Sequence, residues 1–159
     1  MAEKANPYPT NDERVFAMLS HFSLFMGTLP GILLPLIFWA IKKDDSKFVR
    51  FHSLQAIFFH IVYIAALMLL VFILFIVIMI MGTSASLTSM DNSGPNAGLS
   101  ILMIILMVIF YGGMIVIILG AIGYGIYMGV KSYQGELVMY PIIGKKVYEK
   151  VYGGTVIPQ

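Results

Sequence analysis

Residues 51–81 read FHSLQAIFFHIVYIAALMLLVFILFIVIMIM, and residues 99–130 read LSILMIILMVIFYGGMIVIILGAIGYGIYMGV. Each stretch exceeds the ~20 residues that a helix needs to cross the hydrocarbon core of a bilayer. Neither contains an Asp, Glu, Lys or Arg, and the segment between them contains no Lys or Arg. The two stretches therefore predict long transmembrane helices and an integral membrane protein.

The composition of the 159-residue chain points the same way. It is 59% hydrophobic and 11% charged, with a mean hydropathy of +0.89, whereas about a quarter of the residues in a soluble domain are charged. A net charge of +2, spread over separate sites, argues against a nucleic-acid partner. The absence of cysteine excludes disulfides, thiolate metal sites and a cysteine nucleophile.

The N-terminal region begins with a polar stretch. We expect residues 1–10 to form a flexible tail, followed by a helix that begins near Asn11. Thr10 and Glu13 have the identity and spacing of a capping box, in which each side chain binds the backbone amide of the other residue.

The apolar segment that follows is interrupted by three helix-breaking residues, Pro30, Gly31 and Pro35. Two structures are consistent with this pattern. One is a hairpin of two short membrane helices, 11–28 and 30–43, which we favour. The other is a single Pro-kinked span.

The remaining boundaries follow from composition. We predict a helical membrane domain over residues 11–132 and an interfacial C-terminal tail over 133–159, in which tyrosines alternate with lysines. Within the domain, the long helices cover 46–81 and 99–132. The polar segment 82–98, rich in Ser, Thr, Asn and Gly, is expected to be a loop.

Basic residues predict the orientation. Segments 42–50 and 131–150 each hold four Lys or Arg, whereas segment 82–98 holds none. Short segments rich in Lys and Arg stay on the cytoplasmic side of a membrane. We therefore expect the 42–50 connector and the C-terminus in the cytoplasm and the 82–98 loop outside.

Aromatic and basic residues at the ends of the predicted helices indicate contact with lipid headgroups. Such residues anchor membrane proteins at the interface and attract anionic lipids. The candidates are Trp39, Lys42, Lys43, Lys47, Arg50, Lys145 and Lys146.

Four polar residues in apolar surroundings form a candidate polar seam: His21, His52, Gln55 and His60. His52 and His60 are eight residues apart and share one face of a helix. Ionisable side chains at membrane depth suggest function, but a neutral imidazole more often joins helices by a hydrogen bond. His21 and His60 are also the candidates for haem or pigment ligation. Three separated histidines make no zinc site.

Small residues on the last long helix indicate close helix packing: Gly113, Gly120, Ala121, Gly125 and Gly129. Such residues let a second helix approach without a side-chain barrier. The partner is either the 51–81 helix of the same chain or a helix of another protein.

Several motifs resemble a known family. They are Ala17-x-Leu19-Ser20-His21-x-Ser23, Leu34-Pro35-Leu36-Ile37-x-Trp39-x-x-Lys42-Lys43-Asp44-x-Ser46-x-Phe48-Val49-Arg50-x-His52-x-x-Gln55-Ala56, and Tyr140-Pro141-Ile142-Ile143-Gly144. Together they resemble a widespread bacterial membrane domain family of unknown function, grouped by distant similarity with the Tic-twenty component of the chloroplast inner-envelope translocon. The resemblance implies a small polytopic helical protein without established activity, here in the bacterial inner membrane.

We therefore expect an all-α integral membrane protein that needs no cofactor and is not an enzyme, since there is no carboxylate pair at membrane depth, no nucleophile elbow and no phosphate loop. It would act by helix–helix contact as an accessory subunit or an assembly or insertion factor. Its partners would be the lipid bilayer and other membrane proteins or a second copy. The alternatives are a small channel or transporter that uses the Pro-broken hairpin with His21 and His60, and haem or pigment binding.

Overall fold

The computed structural model describes residues 8–90 and 97–153, and all regular structure within these ranges is helical. Its α-helices are α1 (Asn11–Phe22), α2 (Thr28–Lys42), α3 (Lys47–Met90), α4 (Ala97–Tyr133) and α5 (Ile143–Tyr152), with a 3-10 turn at Ser23–Met26. The described residues divide into two compact units. The first unit holds residues 8–63 and 121–153, and the second unit holds residues 64–90 and 97–120.

The start of α1 confirms the predicted capping box. The Thr10 hydroxyl accepts a hydrogen bond from the Glu13 amide at 3.3 Å, and the Glu13 carboxylate accepts one from the Thr10 amide at 2.6 Å. These bonds satisfy amides that have no partner inside the helix. The helix therefore begins at Asn11 for a local reason.

The N-terminal apolar segment forms two helices. The chain turns at Gly27, whose φ of +86° suits glycine, and α2 then packs against α1. The turn precedes the break expected at Pro30. Pro30 instead lies in the first turn of α2, where a missing amide costs no intrahelical hydrogen bond.

The long helix α3 begins with a second side-chain cap and extends further than its sequence predicts. The Ser46 hydroxyl accepts a hydrogen bond from the Val49 amide at 3.2 Å. The helix continues to Met90, so the expectation of a loop is wrong for residues 82–90. The Thr83 hydroxyl shows why, because it donates to carbonyls of the preceding turn and stays compatible with a helix. Residues 91–96 lie outside the described ranges.

The C-terminal helix α5 is less exposed than an element resting on headgroups. Val147, Tyr148 and Val151 are buried and pack with Phe51 of α3. The Phe51 and Tyr148 rings meet edge to face with centroids 5.9 Å apart. The opposite face of α5 carries exposed lysines, so α5 is an amphipathic helix whose apolar face packs on Phe51 of α3.

The second unit exposes apolar side chains in all directions. Residues 64–120 include one charged residue, Asp91, and no described side chain of this unit is buried. By length and composition, Lys47–Thr83 and Ala97–Tyr133 could each cross a membrane, and 6% and 0% of their most apolar windows are buried. The core helix of a soluble protein would be covered, so these helices need lipid or protein around them.

Two glycines of α4, Gly125 and Gly129, pack against the end of α1 and the 3-10 turn that follows it. A Cβ on Gly129 would overlap the ring of Phe22, and a Cβ on Gly125 would touch Leu24. The expected partner inside the chain, the 51–81 helix, is therefore wrong for these two positions. Gly113 and Gly120 of the second unit have no atom within 4 Å of an added Cβ.

Replacing Gly129 by leucine is expected to destabilise the protein, because the new side chain would enter the space of the Phe22 ring. Overpacking of this kind costs about 1–3 kcal/mol. Gly123→Leu is the matched control on the same helix, since nothing lies within 4 Å of a Cβ at that position. Thermal unfolding of both purified variants in one detergent measures the difference. Equal melting temperatures would contradict the contact between α4 and Phe22.

Candidate functional site

Buried polar side chains of the first unit gather where three elements meet. Ser20 and His21 come from α1, His52, Ser53 and Gln55 from α3, and Tyr140 from the connector before α5. The exposed fraction of each of these side chains is 3% or less. Such burial requires hydrogen-bond partners inside the protein. We call this group the histidine cluster.

His21 is the centre of the histidine cluster. Its Nδ1 lies 3.2 Å from the Tyr140 hydroxyl, and its Nε2 lies 3.1 Å from His52 Nδ1. The two imidazole rings meet edge to face, with centroids 5.3 Å apart. One imidazole of α1 therefore links α3 to the connector before α5.

The tautomer of His21 sets the direction of these hydrogen bonds. A neutral imidazole has one N–H and one bare nitrogen, so His21 donates to one of its two neighbours and accepts from the other. Burial raises the pKa of Tyr140 above its ordinary value, so the hydroxyl keeps its proton and is able to donate it to His21. The Nε2 atom of His52 has no hydrogen-bond partner in the described part of the chain.

Two serines add a second link between α1 and α3. The Ser20 hydroxyl donates to the Phe16 carbonyl at 2.8 Å. Its oxygen lies 2.9 Å from the Ser53 hydroxyl. Because the single Ser20 proton is already used, Ser53 is the donor to Ser20.

Gln55 holds the connector in place through both ends of its amide. Its Nε2 donates to the Val138 carbonyl at 3.1 Å, and its Oε1 accepts from the Tyr140 amide at 2.8 Å. Gly144 lies directly against the Gln55 amide and Met139. A Cβ there would lie 2.8 Å from Gln55 Oε1 and the same distance from the Met139 Cα. No side chain other than hydrogen fits, which gives the glycine of the Tyr140–Gly144 motif a packing reason.

The Tyr140 ring is set by aromatic packing. It stacks on Phe59 with centroids 4.5 Å apart and an interplanar angle of 15°. The sequence places Tyr140 in a motif but does not predict it in the site. No spacing rule pairs it with His21, which is 119 residues away.

His60 lies outside the histidine cluster, unlike the other three residues of the predicted seam. Its Nδ1 donates to the Ala56 carbonyl of its own helix at 2.7 Å. Its Nε2 faces α2, where a Cβ on Gly31 would be only 3.0 Å away. Both ring nitrogens of His21 are within hydrogen-bond distance of other groups. A haem or pigment at His21 would have to displace these contacts. At His60 it would have to displace α2 from the Nε2 atom, which is buried against Gly31 and has no hydrogen-bond partner in the described chain. The geometry therefore does not favour ligation by either residue.

The candidate headgroup residues are distributed over the surface of the first unit. Lys43 Nζ lies 5.5 Å from the centroid of the Trp39 ring, and Lys42 Nζ lies 5.9 Å from that of Phe16. Such cation–π contacts hold the two ammonium groups at the end of α2. Three others are exposed, namely Lys47, Lys145 and Lys146. Arg50 is half-buried, and its Nε has no hydrogen-bond partner among the described residues.

The histidine cluster is suited to joining helices. Within residues 8–90 and 97–153, no group of three or more His, Cys, Asp or Glu could hold a metal ion. The hydrogen bonds of the cluster instead join its side chains to one another and to the backbone. In a membrane, side-chain hydrogen bonds of this kind stabilise the association of neighbouring helices.

The model of the magnetosome magnetite crystal formation protein family matches residues 12–147. The chain belongs to this family. The matched range contains the whole histidine cluster. The magnetosome family is one of membrane proteins involved in crystal formation and is not a known enzyme family. No curated protein and no solved structure matches the chain at a significant level.

Membership of the magnetosome family corrects the resemblance proposed from the sequence. The similarity to a Tic-twenty-related family is wrong, because the motifs quoted for it all lie in the range that matches the magnetosome family. The magnetosome membrane is an invagination of the bacterial inner membrane. The family thus places the chain in a membrane of inner-membrane origin.

Replacing Gln55 by leucine is expected to lower the free energy of unfolding. The change leaves the Val138 carbonyl and the Tyr140 amide without their side-chain partner. A buried polar group that loses its partner costs about 1–3 kcal/mol. Thermal unfolding in detergent measures the loss, with Gln134→Leu as the same substitution at an exposed position. A melting temperature lowered equally by both changes would show that Gln55 does not hold the connector.

Proposed function

We propose that the chain is a non-enzymatic protein of the magnetosome membrane that assists magnetite crystal formation through helix–helix contact. It serves as an accessory subunit or assembly factor of a larger membrane complex, and the mineral is the product of that complex. Family membership supports the link to magnetite. The surface of α4 supports the mode of action.

The observation that carries the proposal is an open small-residue surface on α4. Gly113 and Gly120 are two helical turns apart and lie on one side of the helix. A Cβ at either position would meet nothing within 4 Å, whereas Gly125 and Gly129 are covered by residues of α1 and the adjoining turn. Close backbone approach at small residues is a main route to helix association in lipid. A helix of a second protein can therefore pack at Gly113 and Gly120.

The histidine cluster supports a role without catalysis. His21, His52 and Gln55 direct their hydrogen bonds to other protein groups. A catalytic base or nucleophile would instead need an atom within reach of a substrate. The cluster holds the first unit together and leaves the apolar helices to make contacts in the membrane.

We also propose an orientation in the magnetosome membrane. Segments 42–50 and 131–150 carry four basic residues each and lie on the cytoplasmic side, as the distribution of Lys and Arg predicts. Because the membrane is an invagination of the inner membrane, its other side is the lumen of the vesicle. Segment 82–98 then faces that lumen.

The double variant Gly113→Leu/Gly120→Leu is expected to weaken partner binding without unfolding the protein, because both positions are open in the chain alone. Steric overlap of about 1–3 kcal/mol would weaken a close helix contact by a factor of about 5 to 150. Copurification from the magnetite-forming host in mild detergent, followed by electron microscopy of crystal size in complemented deletion cells, measures both effects. Ile115→Phe enlarges an exposed side chain on the opposite side of α4 and serves as control.

The double variant should lose its copurified partner and produce crystals like those of the deletion strain, whereas Ile115→Phe should behave as wild type. Normal crystals from a double variant that is present in the membrane at wild-type level would contradict the proposal. So would a wild-type protein that always purifies alone and as a monomer.

Single cysteines test the proposed orientation, since the chain has none of its own. In sealed magnetosome vesicles, whose outer surface is the cytoplasmic face, a membrane-impermeant maleimide should label Lys43→Cys and Lys145→Cys. Ser93→Cys should react only after detergent is added. Labelling of Ser93→Cys in sealed vesicles, with protection of the other two, would show the reverse orientation.

A further inference from the structure

The backbone at Ile142 adopts a conformation that β-branched residues rarely accept. Its φ is +71° and its ψ is −54°, and the Ile143 amide donates to the Pro141 carbonyl at 2.7 Å. These values describe a γ-turn of the rare, strained kind. The Ile142 side chain is 86% exposed, so no burial inside the described chain compensates for the strain. Strain of this kind is often found at binding sites.

Two apolar grooves of the first unit meet at this turn, and Ile142 and Ile143 line both. One has a volume of about 380 Å³ and is completed by aromatic residues that include Phe59 and Tyr124. The other has a volume of about 300 Å³ and is completed by Phe58, Val147, Lys146 and Lys150. We call the second the lysine groove.

The lysine groove combines an apolar floor with a cationic rim. Lys146 and Lys150 are one helical turn apart on α5 and both are exposed. Neither forms an ion pair with the described part of the chain, where Lys131 pairs with Glu136. Lys145 and Glu149 are also on α5 but do not line the groove. Phe58 belongs to Lys47–Thr83, one of the two segments long and apolar enough to cross a membrane.

We propose that the lysine groove binds an anionic phospholipid. Its acyl chain lies on Phe58, Ile142 and Val147, and its phosphate lies between Lys146 and Lys150. Inorganic phosphate would bind the lysines without contacting the apolar residues of the groove. A neutral lipid would contact the apolar residues without forming an ion pair with the lysines. The exposed, strained Ile142 is then covered by the acyl chain. The inference rests on the membrane location in the proposed function, but not on the contact at Gly113 and Gly120.

Native mass spectrometry of the full chain in detergent, titrated with phosphatidylglycerol and phosphatidylcholine of equal chain length, tests the proposal. A basic residue near anionic lipid contributes about a fivefold gain in binding, so Lys146→Gln/Lys150→Gln should lose about 25-fold in phosphatidylglycerol affinity. Lys47→Gln/Lys145→Gln removes the same charge from exposed positions outside the groove and should lose less than fivefold.

Three results would overturn the proposal: equal losses in the two double variants, equal affinity of the wild type for both lipids, and full displacement of phosphatidylglycerol by millimolar inorganic phosphate. Crystal formation is not measured, so a failure here does not bear on the helix-contact role. Loss of all variants from carbonate-washed membranes would instead refute the shared premise of membrane insertion.

Ile142→Gly separates lipid binding from folding. Glycine accepts a positive φ without strain, so this variant is expected to melt at a higher temperature than the wild type. It should also bind phosphatidylglycerol about tenfold more weakly, because one apolar side chain of the floor is lost. Unchanged affinity in the stabilised variant would exclude Ile142 from the site.

Discussion

The side chains of residues 64–120 are too apolar to be stable in water, and the rest of the structure depends on this constraint. The described side chains of this segment are almost all apolar and none is buried, and exposing such a surface to water has a large unfavourable free energy. Lipid or a second protein has to cover it. Backbone groups in that environment can only bind one another, which explains why the segment is helical wherever it is described.

The same constraint explains the character of the histidine cluster. Polar side chains in a part of the protein that is poor in water must find protein partners. His21, His52 and Gln55 do so by linking α1, α3 and the connector before α5. The first unit is thereby held by a few specific hydrogen bonds and by close packing at Gly129 and Gly144. Each of these hydrogen bonds joins two elements that lie far apart in the sequence.

The motifs quoted from the sequence lie in the parts of the chain that pack together in the first unit. They include His21, His52, Gln55 and Tyr140 of the histidine cluster, but not Ser53. The family that these motifs suggested is wrong, because the chain matches the magnetosome family instead. The match to the magnetosome family extends over residues 12–147 and therefore rests on most of the chain, whereas the motifs cover only parts of it.

The sequence alone determined the helical class, the two long apolar helices and the capping box of Thr10 and Glu13. Each of these depends on residues close together in the chain, through helix period, hydropathy or a local hydrogen bond. The tertiary structure decided that Tyr140 binds His21, that α1 covers Gly129, and that His60 turns towards α2. These contacts join residues far apart in the chain, and many pairings of apolar helices satisfy the same hydropathy pattern. Only the packed geometry selects one of them.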